Sequence, residues 1–379
     1  MRNEANIAGA RDIMLEFARR TGLADAGTAP RRYLWTDAYA VCNFLSLYRA
    51  TGEMLYRDLA LDLIDQVHGV LGRHREDDPR EGWISGLDDE AGRAHPTAGG
   101  LRIGKAYNER PRSEPVDEAR EWERDGQYFH YLTKWMHALS RTAAVTGDSK
   151  FAAWAVELAA TAYAGFSAAS QGSKRLYWKM SIDLSYPLVA SSGHHDPLDG
   201  YITYAEIDGS GGLALRREMS ELAGMIENGR WATGDPLGIG GLLFDTGRVV
   251  QLTAAARMDG AALAATLVAS SAASLTAYVR DASLHRPAVA RLAFRELGLS
   301  IGLRGLEILP HDATRVIAGL NPQLIRSIDN LRRFEPLADA IEAFWQKPAN
   351  QRSPSWEEHE DINAVMLATS LLPDEFVRV

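Results

Sequence analysis

The stretch Trp35-Thr36-Asp37-Ala38-Tyr39 opens an aromatic-rich amphipathic segment that runs to Thr51-Gly52-Glu53 and passes into a second apolar segment over 56–70. The order returns farther along: 126–146 ends at Gly147-Asp148 and leads into the Ala-rich 151–166. A blurred third copy runs from Val249 through Asp259-Gly260 to Val279. Apolar residues at helical spacing on both sides of a Thr-Gly-acid turn read as helix, turn, helix. One such hairpin buries only part of its apolar face, so several must close on one another as a solenoid or a ring. The ring is the arrangement that predicts a pocket.

Extending outward, the pattern predicts helices over 5–20, 36–50, 55–72, 126–146, 150–166, 213–228, 245–257, 261–280, 287–309, 313–332, 336–346 and 357–371. About a dozen helices in antiparallel pairs suit an all-α, (α/α)6 toroid, read as a single domain over 1–379 with inner helices lining a cavity. Two long irregular segments, 80–124 and 172–210, interrupt the pairs; loops of that length usually serve a site, so both are expected over one mouth of the ring. Tyr201-Ile202-Thr203-Tyr204 is β-branched and aromatic and predicts a short strand pair. Gly238-Ile239-Gly240-Gly241 reads as turns, and 347–354 as a surface connection.

At 379 residues and 46% hydrophobic, the chain can bury a large core. The Ala-rich run 261–277 is punctuated by Ser and Thr, and no uninterrupted apolar stretch suggests a membrane span. The N-terminus is charged and amphipathic over 7–20, without the apolar centre of a secretory signal, which predicts an intracellular, cytoplasmic protein. Cys42, the only cysteine, lies between Val41 and Phe44 and reads as a buried core residue. A net charge of −9 with scattered Lys and Arg argues against nucleic acid, which needs a concentrated basic face. The expected partner is a small molecule.

Asp37, Asp125 and Asp361 each stand where an apolar helix begins. Each fits a helix cap, since the position favours a carboxylate. In a ring whose inner helices point the same way, however, the three would converge on one mouth as a carboxylate cluster. Such a cluster suits glycosidic chemistry, in which one carboxyl group protonates the leaving oxygen and another activates water or stabilises charge. Asp37 and Asp125 are the first candidates and Asp183 the reserve. Trp35, Trp83, Trp178 and Trp231 fall in loops or at helix starts, where a flat ring can stack on a sugar, and Tyr128 follows Asp125 closely. Trp135 and Trp154, in mid-helix, are assigned to packing.

His194-His195-Asp196 lacks the helical spacing of a metal site, so the two histidines are read as hydrogen-bond donors to substrate and no metal is expected. His130 and His137 lie seven apart on one helical face and, with His359, are candidates for moving protons. The glycine clusters do not sit between a strand and a helix as a dinucleotide site requires, so no nucleotide cofactor is expected.

With Trp-Thr-Asp at one inner helix and Asp-Gly-Gln-Tyr-Phe-His-Tyr at another, the hairpin pattern resembles the six-hairpin glycosidase superfamily, including unsaturated glucuronyl hydrolases and N-acylglucosamine 2-epimerases. The resemblance is architectural and covers most of the chain. It implies aspartates near the ends of inner helices that protonate substrate and activate water, at Asp37 and Asp125. The lanthionine-cyclase-like toroids, which hold zinc with cysteine and histidine, fit poorly with the lone Cys42. The reading is a carbohydrate-active enzyme, foremost a glycoside hydrolase acting on a small, uronate-containing or related oligosaccharide. The alternatives are a sugar epimerase or isomerase that uses histidines, and a non-catalytic binding or scaffold protein.

Overall fold

The computed structural model describes residues 4–24, 27–170, 173–208, 214–227, 229–281 and 283–379. In chain order the helices are α1 (Glu4–Arg20), α2 (Leu34–Thr51), α3 (Met54–Leu71), α4 (Asp89–Ala94), α5 (Glu118–Glu121), α6 (Phe129–Thr146), α7 (Ser149–Phe166), α8 (Asp196–Ile207) and α9 (Arg216–Ile226). They continue as α10 (Pro236–Ala254), α11 (Ala261–Arg280), α12 (Ala293–Glu307), α13 (His311–Leu320), α14 (Pro322–Leu331), α15 (Glu335–Trp345), the short α16 (Pro348–Gln351) and α17 (Pro354–Glu357), and α18 (Glu360–Leu371). Short strands β1 (Gln127–Tyr128), β2 (Ser167–Ser170), β3 (Ser173–Leu176), β4 (Lys179–Met180) and β5 (Pro187–Val189) lie between α5 and α8.

The Thr-Gly-acid turn has a repeated physical basis. Thr51 Oγ1 donates to Leu47 O at 2.8 Å and accepts from Glu53 N at 3.1 Å. Thr146 does the same with Thr142 O and Asp148 N, at 2.7 and 3.2 Å. Gly52 and Gly147 both take φ of 75°, which ends each helix in the left-handed conformation that favours glycine. Asp148 then caps α7 by accepting from Lys150 N. The third copy turns differently, with Ala256 rather than a glycine at positive φ.

Contacts gather in two compact units, one of residues 1–17, 42–56 and 230–379, the other of 18–41 and 57–229. In the first, α10 packs on α11, α12 and α13, and α12 also meets α15 and α18. Gly240 of α10 crosses α12 so closely that a Cβ there would lie 2.0 Å from Gly298 O. The sequence reading of 238–241 as turns is therefore corrected: these glycines sit in the opening turns of α10, which Pro236 starts and Asp235 caps through Gly238 N. The predicted helix over 313–332 is two helices, because the Asn321 side chain caps α14 at Leu324 N and Pro322 opens it. By length and composition α11 is long and apolar enough to cross a bilayer, with mean hydropathy 1.5. It packs here against α10 and α14.

In the second unit α6 packs on α7 and α8, and α8 on α9. The predicted strand at 201–204 is also corrected. Every residue of α8 except Pro197 and Tyr201 is buried, and packing of the helix among its neighbours overrides the β propensity of Tyr-Ile-Thr-Tyr. The strands of this region lie earlier. β1, β4 and β5 form an antiparallel sheet with Gln127 opposite Met180 and Lys179 opposite Val189, and β2 pairs with β3. Cys42 is fully buried.

Candidate functional site

The N-terminal ends of α2 and α6 are tied together by the long segments between helices. Leu34 N donates to Ile103 O, and Ile103 N to Gly126 O, so the strand-like 101–104 stretch joins the starts of α2 and α6. Gln127 accepts from Leu101 N and donates to Ile182 O, which adds the turn after β4. Onto this frame the sequence hangs a continuous group of rings. Trp35 meets Tyr39, Tyr131 and His130 with centroids 5.2, 5.2 and 6.0 Å apart. Tyr128 lies 4.9 Å from Trp178 and 5.4 Å from His130, and Trp178 lies 5.0 Å from Trp122. Tyr33 closes the group through Tyr131, the two hydroxyls 2.7 Å apart. Trp35, His130, Tyr131 and Trp178 are half-buried, so their faces are open in part.

The two leading aspartates lie at this same end, each already engaged. Asp37 Oδ2 accepts from Tyr33 N at 2.8 Å and its Oδ1 from Arg32 Nη1 at 3.4 Å, both side chains buried. Asp125, 0% exposed, accepts from Arg102 Nη1 at 2.6 Å, Arg75 Nη1 at 3.4 Å, Gly104 N at 3.0 Å and Gly126 N at 3.1 Å. Four N–H donors converge on one carboxylate and use its lone pairs. Tyr33 connects the two acids: burial, and secondarily the Asp125 charge, push its phenol up to about 12 against the opposing bond from Tyr131. Burial likewise raises the Tyr128 and Tyr131 hydroxyls.

A third acid beside these rings comes from α8. Asp196 Oδ1 lies 3.7 Å from His130 Nδ1, beyond a hydrogen bond. Asp196 Oδ2, His130 Nδ1 and the Tyr128 hydroxyl are all buried and without a partner among the described residues. Unsatisfied buried polar atoms are costly, and these three belong to residues within or next to one group of rings. Below them the contact between α6 and α8 is fully paired: Lys134 Nζ to Asp199 Oδ1 at 2.7 Å, and His137 Nδ1 to Glu206 at 2.8 Å. His130 and His137 thus share the face that meets α8. His137 is sealed inside and His130 is open.

Asp183 accepts from Ser181, Ser185 and Arg80 and organises the 181–185 turn. Trp83 is buried beneath Arg73, 5.1 Å from its centroid, and donates to Asp89 at 3.2 Å. His194 and His195 lie ring to ring at 4.4 Å ahead of α8. Trp231, His359 and Asp361 belong to the other compact unit, where Trp231 is buried and His359 meets Phe294 edge-on. Among the described residues no three His, Cys, Asp or Glu side chains gather as metal ligands. Tyr33, Tyr131 and Trp122 were not among the sequence candidates, and Asp196 entered only within His194-His195-Asp196, where a metal site was weighed and set aside. For Asp196 a signal existed, since Asp196-Pro197 is a helix start with an acid and proline in the first turn.

The chain matches no protein-family profile and no curated protein sequence. Among solved structures it is similar to the GH76 α-mannanase of Bacteroides thetaiotaomicron, at TM-score 0.53 and 8% identity over 98% of this chain and 96% of that one. It is also similar to a D-mannose isomerase, at TM-score 0.50 and 10% identity, covering 98% of both chains. At such identities the likeness establishes the fold alone: an all-α, (α/α)6 toroid of helical hairpins.

Proposed function

We propose that this protein is a carbohydrate-active enzyme whose chemistry is proton transfer on a sugar, with His130 as the base and Asp196 as its orienting partner. The observation that supports this most is the unpartnered trio of His130 Nδ1, Asp196 Oδ2 and the Tyr128 hydroxyl beside Trp35 and Trp178. A sugar ring stacks on the aromatic faces and offers hydroxyls to Tyr128 and to Asp196 Oδ2. A closure of less than 1 Å brings His130 Nδ1 into hydrogen bonding with Asp196 and leaves Nε2 to take a proton from the carbon beside an open-chain carbonyl. Return of that proton to the former carbonyl carbon, with the proton of the neighbouring hydroxyl passing to the carbonyl oxygen, isomerises the sugar, whereas epimerisation needs a second acid that protonates the original carbon from the opposite face. Hydrolysis requires two available carboxyl groups. Asp37 and Asp125, the sequence candidates for that role, are each paired with arginine, which favours the isomerase or epimerase reading over the hydrolase.

Mannose, glucose and N-acetylglucosamine offered in deuterated water test the proposal. Solvent deuterium should enter the product next to the carbonyl carbon, and His130→Gln should lower the rate on the order of a hundred- to ten-thousandfold with unchanged thermal unfolding. Release of new reducing ends from mannan oligosaccharides without deuterium uptake by any monosaccharide would overturn it.

A further inference from the structure

A cavity of about 470 Å³ opens directly beside the proposed reaction site and shares two of its rings, Tyr128 and Trp178. Its other walls include Trp122, Val116, Leu188 and Ser191. This volume lies within the usual range for small-ligand pockets. Trp122 is 57% exposed and stands at 67° to Trp178, so the two indoles form a corner with one wall in solvent. Exposing a large apolar ring costs free energy unless something covers it.

The platform under Trp122 is rigid. Asp117 caps α5 by accepting from Ala119 N and Arg120 N, which fixes the helix that ends at Trp122. The preceding Glu121 is buried and accepts from Arg110 Nε at 3.0 Å and Lys179 Nζ at 2.9 Å. Arg110 also donates to Leu188 O, and Lys179 to Glu121 O and Arg124 O, which binds α5 to β4 and β5. A buried ionic cluster is a costly way to hold a surface turn. What it secures is the position of one indole against another.

Resting on the proton-transfer reading of the adjoining site, we infer that this cavity is a second sugar subsite, so that the substrate is a reducing disaccharide or longer oligosaccharide. Its reducing unit lies at His130 and its next unit stacks on Trp122. The occupant is a saccharide because the walls combine flat apolar faces with a polar rim, from Ser191 and the exposed Glu118, and because the cavity continues from the rings that would hold the first unit.

Calorimetric binding of mannose, mannobiose and mannotriose to wild type, Trp122→Ala and Trp122→Phe tests the subsite. The disaccharide and trisaccharide should bind wild type on the order of tenfold more tightly than mannose. Trp122→Ala should remove that advantage without changing mannose affinity or thermal unfolding, and Trp122→Phe should restore part of it. Mannose bound as tightly as the longer sugars, or an advantage that survives Trp122→Ala, would overturn the subsite and leave the proton-transfer reading intact. Failure of all three sugars to bind would overturn both.

Discussion

Asp125 shows how the neighbours of a residue that reads as catalytic by position give its carboxylate a structural part. The sequence supplies an aspartate before an aromatic helix start, which fits an acid, a cap or a structural anion equally well. It does not supply Arg102 and Arg75, which arrive from distant segments, nor the amides of Gly104 and Gly126. Asp125→Asn should therefore cost roughly 3–5 kcal/mol of stability, because either orientation of the amide turns an NH2 toward existing donors and leaves a buried arginine uncompensated. Thermal unfolding reads this directly, and a melting temperature equal to wild type would remove the structural assignment. Asp196→Asn should behave in the opposite way. Its Oδ2 has no partner to lose, so stability should stay within about 1 kcal/mol of wild type while turnover of a sugar falls with that of His130→Gln.

At the scale of elements, what repeats and what is periodic was legible, and what depends on a remote partner was not. The Thr-Gly-acid turns announced α2 with α3 and α6 with α7, because one local chemistry makes both: a threonine back-bond, a left-handed glycine and an acid that follows. α8 was missed because its β-prone residues obey a burial pattern set by α6 and α9. The start of α10 was missed because glycines that weaken an isolated helix are what lets this one cross α12 at contact distance. Adjacent glycines in α10 should consequently respond with opposite sign. Gly240→Ala places a methyl 2.0 Å from Gly298 O and should cost on the order of 3 kcal/mol. Gly241→Ala meets nothing within 4 Å and should gain about 0.5–1 kcal/mol from helix propensity. Urea unfolding of the pair measures both, and equal shifts would contradict the close crossing.

Across the whole chain, the fold survives where sequence identity to similar structures has almost vanished, because a helical hairpin asks for spacing and burial rather than particular residues. The cooperative stability of the chain should still carry the mark of individual buried groups, and His68 is the clearest. It is buried, accepts from Trp135 Nε1 through its Nε2 at 3.1 Å, and burial lowers its pKa from 6.5 to about 3. Between those values the unfolded chain binds a proton that the folded chain refuses, so stability rises with pH across the window and is lost as pH falls from 6.5 toward 3. At pH 4.5 this group alone should have withdrawn about 2.5 kcal/mol relative to pH 7. His68→Gln keeps an acceptor for Trp135 but has no proton to gain. It should be less stable than wild type at pH 7, through imperfect packing, and the gap should narrow or reverse at pH 4.5. Urea denaturation at both pH values, wild type against His68→Gln, gives the comparison. A gap that does not change between them would mean that His68 enters the folded state already charged, against the geometry of its bond to Trp135.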